Sequence, residues 1–225
     1  MLPTTKLVFL LYEKDPAEYS DESFDTISCP EPLMVDRVNG ALGLLDGFTS
    51  VGWVADDNRF RTKGWDEMVA EHLTRTPIVF GNDVVSPGSK PSHVFMDARI
   101  PRALGWLLLP GLHRAFFDDA WQTLGTAKDA TLAPFDELAS KMGTDYVRVG
   151  HGGVGIAYMH GVVVEHLYVE RPPDGWFEKD MTVYRHWLRH QAEEDIGKAR
   201  SAIRSRRNPM RLASAALEGA EQGAV

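Results

Sequence analysis

Residues 50–73 read SVGWVADDNRFRTKGWDEMVAEHL, and this stretch decides how the chain is expected to fold. Residues 50–55 predict a strand, which runs directly into Asp56, Asp57 and Asn58. Apolar residues then recur at helical spacing from residue 62 to residue 73, which predicts a helix. A strand that carries two carboxylates at its carboxyl end and is followed by a helix is typical of an α/β sheet, whose ligands bind beyond the strand ends.

Strand and helix predictions continue on both sides of this stretch. Residues 6–12 (KLVFLLY) form a continuous apolar run that predicts a buried strand, and a helix is predicted from Pro32 to about Leu45. Further strands are predicted at residues 78–81, 93–96, 146–149, 154–158 and 162–166. Further helices are predicted at residues 97–106, 117–125, 134–143 and 177–206. The alternation of strands and helices across residues 7–96 predicts the α/β class.

Length and composition bound the organisation and the partners of the chain. With 225 residues, 44% hydrophobic and 25% charged, it is expected to form one globular domain at residues 1–176. A helix and a basic, flexible tail are expected at residues 177–225. The net charge of -8 argues against nucleic acid as the main partner, and the basic run at residues 198–211 reads as a solvated helix face and tail.

The cell compartment is only weakly constrained by the sequence. Cys29 is the one cysteine, so no intrachain disulfide can form, which fits a cytoplasmic protein. The apolar residues 7–11 are too few to span a bilayer and lack the features of a signal peptide, so no transmembrane segment is expected.

The adjacent carboxylates of Asp56 and Asp57 are the first candidates for chemistry. Hard oxygen ligands at a strand end suit magnesium or manganese, completed by substrate phosphates. The alternative is that Asp-Asp-Asn serves only as a turn, because such side chains bond readily to the local backbone. A Gly-rich phosphate loop is absent from the sequence. Residues 152–155 (GGVG) lack the Lys-Ser/Thr pair and the following helix, and are predicted to be a turn between strands.

The stretch VGWVADDNRFRTKGWDEMV resembles the aspartate motif of a group of bacterial and phage GT-A glycosyltransferases related to family 2, which read as strand, Asp-Asp-His, basic residue, then Thr-x-Gly-Trp-Asp. The matching residues are Asp56, Asp57, Thr62, Gly64, Trp65 and Asp66, while Asn58 replaces the histidine. Other elements follow in the family's order: Asp15, Pro16 and Tyr19 in an Asp-Pro-x-x-x-Tyr element, Asn39, residues 81–83 and 92–105, FFDDAWQTLG at residues 116–125, and VVVEHLY at residues 162–168.

The resemblance implies a GT-A-like mixed sheet flanked by helices, with a C-terminal helix, and a metal-dependent glycosyltransferase of the hexosyltransferase class. It implies Mn²⁺ or Mg²⁺ as cofactor, a nucleotide-sugar donor, and a glycan, protein or small-molecule hydroxyl acceptor. The residues that it assigns are Asp118 and Asp119 as catalytic, Asp15, Asn39, Asp56 and Asp57 at the donor, Asp57 and His166 at the metal, and Asp83, Trp65 and Trp121 on the acceptor side.

Each assignment has a structural alternative. Asp118 or Asp119 can be a helix cap and dipole partner instead of a general base, and His166 can be a satisfied core residue. Tyr168 replaces the family's second histidine, and the chain begins at what resembles the family's second strand, so the usual first strand and helix are not recognised. Weak discrimination among nucleotide bases is the corresponding expectation.

Two other functions share these features. A nucleotidyltransferase would use the same sheet and carboxylates, but the Gly-rich loop expected near its first strand is missing from the sequence. A catalytically impaired binding or assembly module would explain the replacements at Asn58 and Tyr168. The sequence leaves open the donor base and sugar, the acceptor, the stereochemical outcome and the oligomeric state, including a homo-oligomer.

Overall fold

The computed structural model describes residues 5–6, 8–12, 25–30, 33–127, 146–148, 152–167 and 175–204. Its strands are β1 (Val8–Tyr12), β2 (Asp25–Cys29), β3 (Ser50–Trp53), β4 (Asn58–Phe60), β5 (Ile78–Asn82), β6 (Val94–Asp97), β7 (Tyr146–Arg148) and β8 (Ile156–His166). Its helices are α1 (Met34–Gly40), α2 (Trp65–Leu73), α3 (Arg99–Leu104), α4 (Phe117–Thr126), α5 (Trp176–His190) and α6 (Ala192–Arg204). A short 3-10 helix, Ala41–Leu45, extends α1. The predicted α/β class is confirmed.

The main sheet is mixed. It has six strands in the order β3-β6-β5-β8-β4, with β7 also paired to β8, and β1 and β2 form a separate parallel pair. Strand β6 is antiparallel to both β3 and β5, and β5 is parallel to β8. Strands β3, β5 and β8 therefore run in one direction and bring their carboxyl ends to one edge of the sheet.

Alternating side chains of the central strands pack into two apolar cores, one on each face of the sheet. In β5, Ile78 and Phe80 join the larger core while Val79 joins the smaller one. The larger core also contains residues of α1, α3, α4, α5 and α6, and the smaller one is covered by α2. This period of two along buried strands explains why the apolar runs lack a polar face.

Strand β8 carries a bulge that shapes the edge of the sheet. The sequence predicted two strands at residues 154–158 and 162–166, whereas one strand spans Ile156–His166. Ala157 and Met159 face the smaller core, but so do Val162 and Val164, so the alternation shifts by one residue around Gly161. The pairing with β5 shifts between Gly81 and Asn82 at the same level. A glycine inside a strand often marks such a bulge.

The segment before β8 confirms the prediction of a turn at residues 152–155. Gly155 N–H donates to the carbonyl of Gly125 at 2.9 Å and Val154 N–H donates to that of Leu124 at 3.0 Å. A Cβ atom on Gly153 would collide with the backbone carbonyl of Gly125. These glycines allow a turn to lie directly against the last turn of α4.

The single C-terminal helix predicted at residues 177–206 is wrong. Two helices, α5 and α6, are separated at Gln191. The first turn of the second contains Glu193, Glu194 and Asp195, whose negative charges complement a helix N-terminus. Trp187 Nε1–H donates to Asp195 Oδ2 at 2.9 Å and ties the two helices together.

Several smaller differences have local causes. Strands β2 and β4 were not predicted, because β2 lies in a polar stretch and β4 has three residues. Helix α3 ends at Leu104 rather than near residue 106, because Gly105 adopts a positive φ of 76° that stops the helix. The helix predicted at residues 134–143 and the tail after residue 204 lie outside the described residues. Within the described ranges, no helix is long and apolar enough to cross a membrane.

Candidate functional site

Three predicted site residues meet where β3, β5 and β8 end. Asp57 follows β3, Asp83 follows β5, and His166 is the last residue of β8. The end of β8 is held between the other two segments: His166 N–H donates to the carbonyl of Asp83 at 3.0 Å, and Leu167 N–H donates to that of Asp57 at 2.8 Å. The carboxyl edge of a sheet is where ligands of α/β proteins bind.

Asp57 and His166 are in direct contact. His166 Nε2 lies 3.2 Å from Asp57 Oδ2, although 109 residues separate them in sequence. Asp57 Oδ1 is buried and accepts no hydrogen bond from any residue that the structure describes. Buried polar atoms are nearly always paired with protein, water or an ion, so this oxygen is able to accept from a further group. A carboxylate oxygen with free lone pairs suits Mn²⁺ or Mg²⁺, so Asp57 and His166 together fit the ion that the family resemblance implies.

Asn58 performs the turn chemistry that was the alternative for the Asp-Asp-Asn sequence. Its Oδ1 accepts from Ala55 N–H at 2.8 Å, and its own N–H donates to the carbonyl of Ala55 at 3.1 Å. Asp56 is exposed at the tip of this turn. Asn58 therefore shapes the turn, and the Asp57 side chain is left to face His166.

A short polar network fixes the buried carboxylate of Asp83. Ser86 N–H donates to Asp83 Oδ1 at 2.7 Å, and the Ser92 hydroxyl donates to Oδ2 at 3.1 Å. His93 is fully buried and its Nε2 accepts from Gly81 N–H at 2.9 Å, which leaves Nδ1 to carry the proton beside Ser92 Oγ at 3.3 Å. Burial, assisted by the charge of nearby His166, lowers the pKa of His93 to about 3, so it stays neutral.

The residue after Asp83 has a strained backbone. Val84 has a φ of 70°, a conformation that a β-branched side chain rarely adopts. Its N–H donates to Asn82 Oδ1 at 2.8 Å, and its side chain is 54% exposed. Strain of this kind persists where surrounding contacts enforce it, and it is concentrated at functional sites.

Replacing Val84 by Gly should therefore stabilise the protein, by about 0.5 to 1 kcal/mol, because glycine adopts positive φ without a Cβ penalty and that gain exceeds its added unfolded-state entropy. Urea unfolding curves of the two proteins would measure this. Val85 is equally exposed and has no positive φ, so Val85→Gly should destabilise instead. Equal losses in both variants would contradict the strain at Val84.

The second predicted group, Asp118 and Asp119, lies in the first turn of α4 beside a lysine. Lys90 Nζ is 3.5 Å from Asp118 Oδ2 and 3.5 Å from Asp119 Oδ2. Asp118 Oδ1 accepts from Asp119 N–H at 3.0 Å. Burial, together with the charge of Asp118, raises the pKa of Asp119 to about 6. Burial lowers the pKa of Lys90, but the attraction of the two carboxylates is larger. The pKa of Lys90 is therefore raised above its ordinary value.

Residues 83–93 connect the two groups. Asp83 begins the segment next to His166, and Lys90 reaches the first turn of α4. Ser92 and His93 return the chain to the sheet at β6. One segment thus contacts both the Asp57–His166 pair and the Asp118–Asp119 pair.

Other predicted site residues are occupied by structural contacts. Asn39 Oδ1 accepts from Leu107 N–H and Leu108 N–H, and its Nδ2 donates to the carbonyl of Leu108 at 2.7 Å. Trp65 stacks on Phe60 with ring centroids 4.0 Å apart. Trp121 is 1% exposed in the larger core. The side chain of Trp121 therefore has no exposed surface that an acceptor could contact. The functional assignments of Asn39, Trp65 and Trp121 stay predictions. Asp15 lies outside the described residues.

Two residues of the site were missed by sequence reasoning. Lys90 lies in a loop of Ser, Pro and Gly residues, where periodicity carries no information about contacts. His93 was included in a predicted strand without a role. His93 stands in a run of otherwise apolar residues that includes Phe95. A polar side chain in such a run is expected to be buried and to need a hydrogen-bond partner, and this was the available signal.

A cleft of about 770 Å³ lies elsewhere, between α5, α6 and the segment after α3. Its walls include Trp106, Pro110, Val183 and Trp187, with Glu194 and Lys198 among the polar residues. None of the predicted site residues lines it. A large concave pocket is the usual first choice for a ligand site, but the unpaired carboxylate oxygen and the raised carboxyl pKa both lie at the sheet edge and α4.

Within the described ranges, no group of three or more His, Cys, Asp or Glu side chains is arranged to hold a metal ion. The Asp57–His166 pair supplies two side chains, so an ion there would need further ligands such as substrate phosphates and water. Comparison of the whole chain with family models, curated proteins and solved structures found no match.

Proposed function

We propose that this chain is a metal-dependent glycosyltransferase with a GT-A-like fold, which moves a sugar from a nucleotide-diphosphate donor to a hydroxyl acceptor. The observation that carries the proposal is the contact between Asp57 and His166, with Asp57 Oδ1 buried and unpaired. Both residues belong to motifs in which the sequence resembles that family, and they meet at the carboxyl edge of the sheet.

The donor's diphosphate would be bound at the Asp57–His166 pair. These two side chains would hold Mn²⁺ or Mg²⁺, and Asp56 is exposed beside them to contact the same ligand. A bound ion would supply the positive charge that neutralises the leaving diphosphate. The chain itself contributes a carboxylate fixed by the turn at Asn58, so little reorganisation is needed on binding.

The Asp118–Asp119 pair would act on the acceptor. One carboxylate takes the proton of the acceptor hydroxyl as its oxygen bonds to the anomeric carbon, and the bond from that carbon to the diphosphate oxygen breaks. A glycoside, a protonated carboxyl group and a nucleoside diphosphate result. Asp118 is the more accessible of the two, with 25% of its side chain exposed against 9% for Asp119.

Lys90 fits this division of roles. Its ammonium group lies 3.5 Å from each of two adjacent carboxylates and offsets the repulsion between them. The same segment, residues 83–93, starts beside His166. The base would therefore be positioned relative to the donor site through a single loop.

Donor hydrolysis tests the proposal without knowledge of the acceptor. We expect slow release of nucleoside diphosphate from at least one nucleotide sugar in a panel, dependent on added Mn²⁺ and stopped by a chelator. Calorimetric titration with uridine, guanosine and thymidine diphosphates should run in parallel. Manganese-dependent binding without release would favour a non-catalytic binding module, and the lack of both would refute the metal site as well.

A further inference from the structure

Asp180 of α5 binds the segment that leads into α4. Its side chain is 0% exposed. Oδ1 accepts from His113 N–H and from His113 Nδ1–H, both at 2.9 Å. Oδ2 accepts from Arg114 N–H at 2.8 Å and from Ala115 N–H at 2.9 Å. These four hydrogen bonds lower the pKa of Asp180 against the opposing effect of burial, so the group stays charged. Charge-assisted hydrogen bonds of this kind are roughly twice as strong as neutral ones.

The segment that Asp180 holds ends in a strained residue. Phe116 has a φ of 65°, which is uncommon for a residue with a side chain, and α4 starts at the next position. A chain in this conformation turns sharply, so the direction of α4 depends on whatever keeps Phe116 in place. Asp118 and Asp119 follow within the first turn.

Other residues on the same face of α5 hold Phe116 itself. Phe177 and Tyr184, three residues before and four after Asp180, are neighbours of Asp180 on that face. The ring of Phe116 lies 5.4 Å from that of Tyr184 and 5.1 Å from that of Phe177. Tyr184 OH is also 2.9 Å from Thr123 Oγ1, one turn further along α4.

The geometry points to Asp180 as the positioning residue for the Asp118–Asp119 pair. Asp180 holds residues 113–115, and these residues set the direction in which the first turn of α4 leaves the loop. Its meaning for catalysis rests on the proposed function. The mechanical role stands without that function, since it concerns the placement of two carboxylates against Lys90.

Asp180→Asn tests this role. In the variant an amide NH₂ group would face the N–H groups of Arg114 and Ala115, which need an acceptor. The two hydrogen bonds to residues 114 and 115 should therefore be lost. The measurement is NMR titration of the Asp119 carboxyl carbon in the full chain. We expect its pKa to fall from about 6 toward the ordinary aspartate value, as Asp119 leaves its buried place beside Asp118 and Lys90.

Asp195→Asn is the matched control. Asp195 is also buried and also accepts a hydrogen bond between helices, from Trp187 Nε1–H, and it pairs with Lys198 of its own helix. Asp195→Asn should leave the Asp119 titration unchanged, although it should lower the stability of the protein about as much as Asp180→Asn does. If Asp180→Asn does not fold, His113→Ala, which removes the ring hydrogen bond and the stacking on Trp176 but keeps the three backbone hydrogen bonds to Asp180, should lower the same pKa by a smaller amount.

An unchanged Asp119 titration in Asp180→Asn, or an equal shift in Asp195→Asn, would overturn the positioning role. In transfer assays, Asp180→Asn should lower kcat and leave the donor KM unchanged, because the Asp57–His166 pair is not involved. A shifted titration in a protein without transfer activity would keep the positioning role and reject the proposed function, so the two failures are distinguishable.

Discussion

Asp57→Ala should abolish metal-dependent nucleotide binding and leave the fold intact. In the parent protein we expect Mn²⁺ to strengthen binding of a nucleoside diphosphate by roughly tenfold or more, equivalent to about 1.4 kcal/mol. The variant should bind equally with and without Mn²⁺, because it lacks the buried oxygen that accepts no hydrogen bond from the described residues. Calorimetric titration with uridine and guanosine diphosphates, each with Mn²⁺ and with a chelator, measures the difference.

The fold should survive because the backbone contact does not depend on the side chain. The carbonyl of Asp57 still accepts from Leu167 N–H, and the side-chain contact that is lost is a partly exposed one, with 30% of Asp57 and 25% of His166 accessible. Asp46→Ala is the matched control, since it removes an equally negative but almost fully exposed carboxylate. Binding by Asp57→Ala at the parent affinity, still enhanced by Mn²⁺, would show that the metal is held elsewhere.

Asp118→Asn should retain donor binding and lose transfer by about 10²-fold or more, the range expected when a general base is removed. The amide keeps an oxygen for Asp119 N–H, so the first turn of α4 should persist. Initial rates at saturating donor, with donor affinity measured separately, make the test. Full activity in this variant would assign Asp118 to capping and leave Asp119 as the next residue to replace.

The pH dependence of transfer distinguishes the two carboxylates. Burial and the charge of Asp118 raise the pKa of Asp119 to about 6. If deprotonation of this pair is required, the rate should rise with pH through about 6 and then level off, and Asp119→Asn should remove that inflection. Because the folded protein binds this proton more tightly than the unfolded chain, whose aspartate pKa is about 3.9, the contribution of Asp119 to the free energy of unfolding should rise as pH falls between these values.

The carboxyl edge of the sheet could be predicted from the sequence because strand ends carry local signals. Asp57 follows an apolar strand and precedes a helix, and His166 ends another apolar run, so both could be expected at one edge. The family resemblance placed both at one metal ion, but their direct contact at 3.2 Å could not be derived from the residues themselves. It depends on the bulge near Gly161, which shifts the alternation of β8, and the pairing of distant strands leaves no periodic signal in the chain.

The parts that were missed are set by tertiary contacts. Lys90 reaches Asp118 and Asp119 from a loop whose composition predicts only turns, and its partners are almost 30 residues away along the chain. Asp180 and Phe116 were missed because neither a buried carboxylate nor a positive φ at a phenylalanine can be inferred from residue type. The break at Gln191 was available in principle, since an acidic run beginning at Glu193 is typical of a new helix.

The close contact of α4 with the turn before β8 has a consequence for protein engineering. The helix is anchored at its start by the loop bound to Asp180 and at its end by the backbone of residues 153–155, where any side chain on Gly153 would collide. Random substitution of the buried positions of α4 should therefore yield mostly misfolded variants. Residues 84 and 85 are exposed on the segment that joins both candidate groups. A library intended to alter substrate scope should vary these positions, where mutational tolerance and proximity to the chemistry coincide.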